Sequence, residues 1–332
     1  MCIRDRIGTD EAGYGPNLGP LTVTGTLWQV PDENLDLYHC LKPIVSSQSP
    51  GRNLQADSKL HVADSKFVYQ ASRSIASLER SVLAILCSLR SRVPTDDREL
   101  LRATFSQCVE DRVALLAGEN SLWSPAEAFD LPLYGSVDSL RASSERFSEA
   151  CQAASVDLVD VRCQPAFPAT FNRLTDSLGN KAHVLSGQTM QIISKLLEKT
   201  SHENQNVTIY CDKHGGRSRY LPMIAQYLTR QPVTVETEGR AVSRYHWLQA
   251  KRKITIHFSV GGETQLPVAL ASMVSKYVRE IFMHVWNEFW QDHVDDLKPT
   301  KGYPVDAKRF MSQIETTREK LGIARSQVWR NR

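Results

Sequence analysis

Two β-type segments joined by a glycine- and proline-rich turn constrain this chain most. Residues 7–12 (IGTDEA) predict a short strand. Residues 21–30 (LTVTGTLWQV) are rich in β-branched side chains and alternate in polarity, which predicts a second strand. The sequence between them, GYGPNLGP, is typical of a turn, so the two strands are expected to pair as a hairpin.

Helices and strands alternate after this hairpin. Apolar residues at helical spacing predict helices over residues 66–92, 184–199 and 267–290, with a further helix ending near residue 228. Apolar, β-branched segments predict strands at 156–163 and 207–211, and two or three more within 233–260. This order predicts an α/β fold in which a mixed β-sheet is flanked by helices.

The remaining segments set the domain organisation. Residues 31–56 are predicted to be a loop, and residues of about 95–154 a mid-chain helical insertion. One main domain is expected to span residues 7–290. Residues 291–332 then form a basic C-terminal extension that packs on it, loop-like except for a short helix near 306–319.

The first six residues, MCIRDR, have no signal-peptide pattern. They resemble translated sequencing-adapter sequence, and we expect them to be a scar outside the native protein.

Composition excludes several classes of protein. The chain has 332 residues, of which 41% are hydrophobic and 23% charged, which is typical of a soluble globular protein. No apolar run approaches the ~20 residues of a membrane span. The seven cysteines are scattered and form no C-x-x-C motif. This disfavours a disulfide framework or zinc ribbon and indicates a reducing, cytoplasmic location.

Charge is distributed unevenly along the chain. The net charge is +3, yet the part from Gln205 onward carries 20 Lys and Arg against 12 Asp and Glu, or +8. A basic half is a weak indication of a polyanionic partner such as nucleic acid, and it is also common for a solvated surface.

Carboxylates follow two of the predicted strands. Asp10 and Glu11 end the first strand, and Asp212 follows the apolar segment VTIYC; glycine-rich turns come after both. Ligands in open α/β sheets bind at such carboxyl ends. The structural alternatives are that these side chains face solvent or cap a turn or helix. Because strand residues alternate in direction, Asp10 and Glu11 can share a pocket only if the strand distorts or a backbone carbonyl serves as a ligand.

A third acidic position lies on the helix predicted over 267–290. Ser272, Lys276, Arg279 and Glu280 share one helix face through their i, i+3 and i, i+4 spacing. The structural alternative is a simple ion pair between Lys276 and Glu280. Both readings remain open from the sequence alone.

Convergence of these carboxylates would require a cation, because several buried like charges repel one another. Oxygen ligands without His or Cys favour Mg²⁺ or Mn²⁺ over zinc. Two such ions can stabilise the attacking and leaving oxygens of a phosphodiester, and nearby basic side chains would hold the phosphate backbone.

Five motifs follow one another over residues 8–303. They are GTDEAGYGPNLGP at 8–20, DSK at 64–66, Asp212 after its strand, ASMVSKYVREIFM at 271–283 and KGY at 301–303. In this order they resemble the G-x-D-E-x-G-R-G-P…G-P, D-S-K, third carboxylate, A-S-I-x-A-K-x-x-R-D-x-x-M and K-G-Y of the type 2 ribonuclease H family. That family cleaves the RNA strand of RNA–DNA hybrids.

The resemblance implies a ribonuclease-H-like fold and a two-metal phosphodiester hydrolase. Its metal ligands and catalytic residues would be Asp10, Glu11, Asp212 and Glu280, holding two Mg²⁺ or Mn²⁺ ions. Its partner would be an RNA–DNA hybrid or a ribonucleotide-containing duplex, with no membrane and no obligate protein partner. The implied substrate-binding residues are Gly13, Tyr14, Gly15, Ser65, Lys66, Ser272, Lys276, Arg279 and Tyr303. The Gly13–Gly15 turn would lie against the ribose 2′-OH.

This chain departs from the family pattern at several positions. Tyr14 replaces an arginine, Glu280 an aspartate, and Lys213-His214 a glycine. No tyrosine follows Tyr303, whereas some members use one to sense an RNA–DNA junction. A second DSK occurs at 57–59, and Asp64 is preferred because a predicted helix follows it directly.

Two other functions remain open at this point. The chain could be a non-catalytic hybrid- or DNA-binding protein in which Glu280 marks a lost metal site. It could also be another nuclease of the same superfold, such as a DNA-cutting resolvase.

Overall fold

The computed structural model describes residues 4–48, 58–72, 74–105, 122–123, 128–200 and 205–331. Its strands are β1 Arg4–Ala12, β2 Leu21–Val30, β3 Val45–Ser46, β4 Leu60–His61, β5 Asp157–Ala166, β6 Val207–Asp212, β7 Val233–Glu238, β8 Val242–Gln249 and β9 Arg252–Ser259. Its helices are α1 Leu37–Cys40, α2 Ser65–Ser72, α3 Ala76–Arg90, α4 Asp97–Thr104, α5 Val137–Ala153, α6 Pro168–Leu178, α7 Lys181–Leu197, α8 Leu221–Tyr227, α9 Leu266–Gln291, α10 Pro304–Lys320 and α11 Arg325–Val328. A short 3₁₀ helix spans Gly262–Thr264.

A mixed seven-stranded sheet organises these elements. Its strand order is β5-β2-β1-β6-β9-β8-β7, and β3 pairs with β4 in a separate two-stranded sheet. The predicted hairpin forms, with β1 antiparallel to β2, while β1, β6 and β9 run parallel. The predicted fold class, a mixed sheet flanked by helices, is therefore confirmed. No helix in the described ranges is long and apolar enough to cross a membrane.

Helix α9 lies directly on one face of the hairpin. A Cβ atom at Gly8 would stand 2.2 Å from the carbonyl carbon of Pro267, so only glycine permits this approach. Thr26 Oγ1 donates to the Pro267 carbonyl at 2.8 Å, and Thr22 Oγ1 donates to the Ser275 carbonyl at 2.9 Å. The opposite face is covered by α7, whose Ile192 and Leu196 pack against Gly25 of β2.

Aromatic side chains from distant segments share the core beneath α9. Trp286 stacks on Trp123 with ring centroids 4.3 Å apart, and Phe310 of α10 lies against the same tryptophan at 6.2 Å. Ile314 and Val328 are buried in this core as well. Residues 304–328 thus contribute apolar side chains to the main hydrophobic cluster.

Some elements differ from the sequence prediction. The helix predicted over 66–92 is in fact two helices, α2 and α3. The sequence did not indicate the break between them, because no proline or glycine lies there and the apolar spacing continues across it. Helix α6 was not predicted, since its eleven residues offer too few apolar positions to show a helical period. The predicted loop 31–56 contains α1 and β3, and α10 is longer than the short helix expected at 306–319.

Several predicted segments fall partly outside the described residues. These are residues 1–3 of the expected scar, 49–56 of the expected loop, 73 of the helix predicted over 66–92, 106–121 and 124–127 of the expected insertion, and 332 of the C-terminal extension. Residues 4–6 belong to β1, and the Arg6 guanidinium donates to the carbonyls of Leu35 at 2.6 Å and Glu33 at 2.7 Å.

A buried aspartate on β5, Asp160, forms ion pairs with three basic side chains. The Asp160 side chain is 2% exposed and lies 2.7 Å from Arg162 Nε, 2.8 Å from Lys199 Nζ and 3.1 Å from Arg90 Nη2. Burial by itself would raise the pKa of Asp160, but the hydrogen bonds from Lys199 and Arg162 outweigh it and hold that pKa below its ordinary value.

We expect Asp160→Asn to lower the free energy of unfolding by about 2 kcal/mol at pH 7, because it removes the charge that three cations share. A depressed pKa gives stability that is fully present above the ordinary value of about 3.9 and is lost as pH falls through the lower folded value. Urea unfolding at pH 7 and pH 3 should therefore show the difference from wild type shrinking in acid. Asp138→Asn, at an exposed pair with Arg141, is the control; an equal effect there would contradict this account.

Candidate active site

Three of the predicted carboxylates converge where parallel strands end. The pairing of β1 with β6 stops at Thr9 and Cys211, so Asp10, Glu11 and Asp212 lie immediately beyond the last pair. There the Asp10 and Glu11 carboxyl groups hydrogen-bond to each other, although strand alternation alone would separate them. Both side chains therefore contact one another although β1 keeps its regular pairing with β2 through Ala12.

A fourth carboxylate, Glu263, joins this group from the 3₁₀ helix after β9. The electrostatic field of Glu263 acts on both Asp10 and Glu11, and Asp212 acts on Glu263 in turn. The neighbouring Gly262 N–H donates to Asp212 Oδ1 at 3.0 Å. A Cβ at Gly262 would stand 3.1 Å from the Asp212 backbone, so glycine allows this close approach. We call Asp10, Glu11, Asp212 and Glu263 the acidic cluster.

Burial and repulsion both disfavour ionisation of the acidic cluster. Burial, followed by the charges of Glu11 and Glu263, raises the pKa of Asp10 well above its ordinary value. Burial and the charge of Asp212 raise the pKa of Glu11 to about 7. Burial likewise raises the pKa of Asp212 and of Glu263. Without a bound cation, these carboxyl groups therefore keep their protons to higher pH than isolated carboxyl groups do, and a cation would compete with those protons.

Lysine and serine side chains surround the cluster. Lys66, the second residue of α2, is the cation whose charge favours ionisation of Glu11, Asp212 and Glu263. Ser272 hydrogen-bonds the Asp10 carboxyl group, and its Oγ lies 3.1 Å from Ser65 Oγ. The small residues of α9 thus let the helix contact the strand that carries Asp10.

Glu280 occupies a different position. It lies 2.6 Å from Lys276 Nζ and 3.6 Å from Arg279 Nη1. The structure thus contains the ion pair that the sequence offered as the alternative. It also brings Glu263, which the sequence analysis did not include, near Asp10 and Glu11. The sequence could have indicated Glu263. Like Asp212, it lies at the carboxyl end of a predicted strand and close to a pair of glycines.

The loop after Asp212 is firmly anchored at Lys213 and His214. Lys213 Nζ donates to the Gly239 carbonyl at 2.6 Å and to Ser243 Oγ at 3.0 Å. Buried His214 hydrogen-bonds Ser186 Oγ at 2.9 Å, and burial lowers the pKa of His214 to about 3. These contacts fix the backbone that follows Asp212.

The glycine-rich turn after β1 is held from below. Arg279 is 1% exposed, and its Nη2 donates to the carbonyls of Leu18 at 3.2 Å and Lys301 at 3.1 Å. A Cβ at Gly13 would stand 2.6 Å from Arg279 Nε, and Gly13 also has a φ of +86°. Gly302 accepts hydrogen bonds from the Asn17 and Leu18 N–H groups. Arg279 and the 301–303 segment therefore support this turn.

The predicted substrate-binding side chains lie on two sides of the site. Tyr14 is half-buried, and Lys181 Nζ lies 4.7 Å from the centre of its ring. Lys276 and Lys301 stand over the ring of Tyr69 at 4.9 and 4.3 Å. Gly15 borders open space and Tyr303 is 51% exposed. Lys276 and Lys301 thus converge on one aromatic ring.

The donor chemistry of the acidic cluster fits a hard divalent cation. All four groups offer carboxylate oxygens, and a cation would relieve the repulsion that raises their pKa values. Within the described ranges, no three acidic, histidine or cysteine side chains are already grouped tightly enough to hold an ion. The fit therefore rests on the donor set and its electrostatics.

Comparison with known proteins gives a likeness of fold. No protein-family model and no curated protein matches the chain. Ribonuclease HII of Archaeoglobus fulgidus, solved in complex with PCNA, is 14% identical with a TM-score of 0.40, covering 98% of this chain and 94% of that one. Ribonuclease H2 of Pyrococcus horikoshii OT3 is 13% identical with a TM-score of 0.40, covering 98% and 92%. Bst-RNase HIII in complex with Mn²⁺ is 13% identical with a TM-score of 0.39, covering 98% and 66%. Likeness at this level assigns no activity.

We expect Glu263→Gln to raise the free energy of unfolding by about 1 kcal/mol at pH 7.5 without divalent ions, because it removes a charge that repels the rest of the acidic cluster. Glu280→Gln should lower it by about 1–2 kcal/mol, because buried Arg279 loses its ionic partner. Urea unfolding measures both. If both variants shift stability in the same direction, the grouping of these carboxylates described above is incorrect.

We expect Glu11→Gln to remove part of the pH dependence of stability. A carboxyl group whose folded pKa is raised, here to about 7, binds protons better in the folded chain, so stability falls as pH rises from about 4.5 toward 7. The variant cannot ionise at this position and should show a shallower decline over that window. Glu198→Gln, an exposed position directly after α7, is the control and should keep the wild-type slope. An unchanged slope in Glu11→Gln would contradict the raised pKa.

Proposed function

We propose that this chain is a metal-dependent endonuclease that cleaves the RNA strand of RNA–DNA hybrids or of ribonucleotide-containing duplexes. The observation that supports it most is the acidic cluster at the carboxyl ends of three neighbouring parallel strands, flanked by lysines and a glycine-rich turn. Such a cluster is costly unless cations bind it, and phosphodiester hydrolysis uses carboxylate-held cations. The order of motifs along the chain supports the same activity.

The residues that would hold the divalent ions, Mg²⁺ or Mn²⁺, are Asp10, Glu11, Asp212 and Glu263. A bound divalent ion supplies a water nucleophile at neutral pH and stabilises charge on the attacking and leaving oxygens. The products of the proposed reaction carry 5′-phosphate and 3′-hydroxyl ends. Glu280 is not part of this ligand set in our proposal, because its carboxylate is paired with Lys276 and Arg279.

The other residues of the site would bind and orient the substrate. Lys66 and Lys301 are exposed cations suited to backbone phosphates, whereas the charge of Lys276 is partly neutralised by Glu280. Backbone groups of the Gly13–Gly15 turn would approach the ribose, where a 2′-hydroxyl distinguishes RNA from DNA. We also expect the chain to act in a reducing, cytoplasmic setting and to need no obligate protein partner.

The direct test is cleavage of a long RNA–DNA hybrid labelled on its RNA strand, with Mg²⁺ or Mn²⁺. We expect wild type to cut it, and Asp10→Asn and Glu263→Gln each to reduce kcat by about 10³-fold or more, because each removes a metal-binding oxygen from the proposed site. Glu280→Gln should keep at least about a tenth of wild-type activity. Circular dichroism and thermal unfolding confirm that each sample is folded.

Other results would point elsewhere. A folded wild-type chain that cuts with neither metal contradicts the proposal, and hybrid binding without divalent ions would then favour the binding-protein alternative. Preferential cutting of DNA junctions would favour a resolvase. If Glu280→Gln abolished cleavage while Glu263→Gln did not, the ligand set would revert to the one implied by the resemblance.

We also expect slower cutting at a single ribonucleotide embedded in DNA than on a long hybrid. Tyr14 replaces the motif's arginine and no tyrosine follows Tyr303, so contacts to an isolated RNA–DNA junction are fewer. Single-turnover rates on the two substrates, at equal duplex length and salt concentration, should differ by about tenfold, the effect of roughly one lost hydrogen bond. Equal rates would contradict this expectation.

A further inference from the structure

Arg330, which follows α11, is buried beneath the glycine-rich turn. It is 2% exposed, and its Nη2 donates to the Gly13 carbonyl at 2.5 Å and also to the Pro16 carbonyl. Its guanidinium lies 4.7 Å from the centre of the Phe171 ring. The side chain thus contacts the turn through carbonyl oxygens and is supported from behind by α6.

The backbone of this segment is joined to the same turn. Arg330 N–H donates to the Asn17 carbonyl at 2.8 Å, and Asn17 Nδ2 returns a hydrogen bond to the Arg330 carbonyl at 3.3 Å. Asn172 of α6 donates through Nδ2 to the Trp329 carbonyl at 2.9 Å. Arg330 is therefore held in place on both sides, and its hydrogen bonds fix the orientation of the turn.

That orientation determines where the Tyr14 N–H points. The Gly13 carbonyl and the Tyr14 N–H belong to one trans peptide, in which the two groups point in opposite directions. Because Arg330 holds the carbonyl inward, the N–H faces outward, beside the Gly15 position that borders open space. Within the described part of the chain, the Tyr14 N–H donates to no acceptor. A hydrogen bond to the carbonyl also polarises the peptide and strengthens its N–H as a donor.

The charge of Arg330 is unusual for a structural residue. In the described ranges no carboxylate pairs with it, and its Nε and Nη1 atoms lack hydrogen-bond partners. Burial of an unpaired charge is costly. Burial and the nearby Arg279 guanidinium lower the pKa of Arg330 to about 9, so it stays largely protonated at neutral pH. A cation kept below the turn favours an anionic ligand above it.

We propose that Arg330 is a positioning residue for the nucleic acid: it directs the Tyr14 N–H toward the substrate strand, where that N–H donates to a sugar hydroxyl or phosphate oxygen. This inference rests on the proposed function. It gives the turn a source of positive charge that the neutral Tyr14 side chain lacks.

The test compares Arg330→Gln and Arg330→Lys with Arg318→Gln. Arg318 is a buried arginine of helix α10 whose side chain donates to Glu315 and to the Ile323 carbonyl. Its replacement therefore controls for general destabilisation. Dissociation constants are measured in EDTA for an RNA–DNA hybrid and for a DNA duplex of the same sequence. We expect Arg330→Gln to weaken hybrid binding about tenfold, Arg330→Lys less, and Arg318→Gln less than twofold. If affinity falls more for the hybrid than for the DNA duplex, the acceptor of the Tyr14 N–H is a sugar hydroxyl. If both affinities fall equally, the acceptor is a phosphate oxygen.

A second readout does not depend on nucleic acid. The Asn17 and Leu18 N–H groups donate to the Gly302 carbonyl, so hydrogen exchange of the 14–18 segment reports the order of the turn. Exchange should accelerate in Arg330→Gln and not in Arg318→Gln. Unchanged exchange and unchanged hybrid affinity, with normal wild-type cleavage, overturn this inference alone. A folded wild type that neither binds nor cuts hybrids overturns the proposed function and, with it, the substrate assigned here.

Discussion

The close approach of α9 to the β1–β2 hairpin is the constraint on which the site depends. Gly8 has no side chain to keep Pro267 away, and two threonine hydroxyls of β2 bind carbonyls of the helix. Because α9 and β1 run side by side at this distance, Ser272 reaches the Asp10 carboxyl group and Arg279 reaches the turn that follows β1. Any side chain at residue 8 would move the helix outward and separate these partners. One close packing contact thus positions two chemically different parts of the site.

Charge is separated across the turn between Gly13 and Gly19. The acidic cluster lies at the strand ends, while the two buried arginines, Arg279 and Arg330, lie beneath the turn. Each group would be unfavourable by itself, because both are desolvated and like-charged. The cluster is expected to gain stability from cations and the turn from an anion. The unfavourable burial of like charges is therefore located where a ligand of opposite charge would offset it.

The sequence predicts the site where simple rules apply and fails where contacts are made by the backbone. Asp10, Glu11 and Asp212 could be located because carboxylates after parallel strands converge at one edge of a sheet. The role of Glu280 stays a prediction, since its i, i+4 spacing from Lys276 fits an ordinary ion pair equally well. Glu263 was overlooked although it follows a strand in the same way as Asp212. Arg330 could not have been found, because carbonyl oxygens leave no pattern in a sequence. In the fold, long apolar periods predicted α7 and α9, whereas α6 was too short to show one.

The hydrogen bonds between Asn17 and Arg330 join residues 313 positions apart. The arginine that orders the turn is synthesised 313 residues after Asn17 of that turn. At ordinary elongation rates this leaves the turn without its support for roughly a quarter of a minute to one minute. During that interval the turn lacks the hydrogen bonds that order it. Long-range closure of this kind makes the shape of the turn depend on a segment that is translated much later.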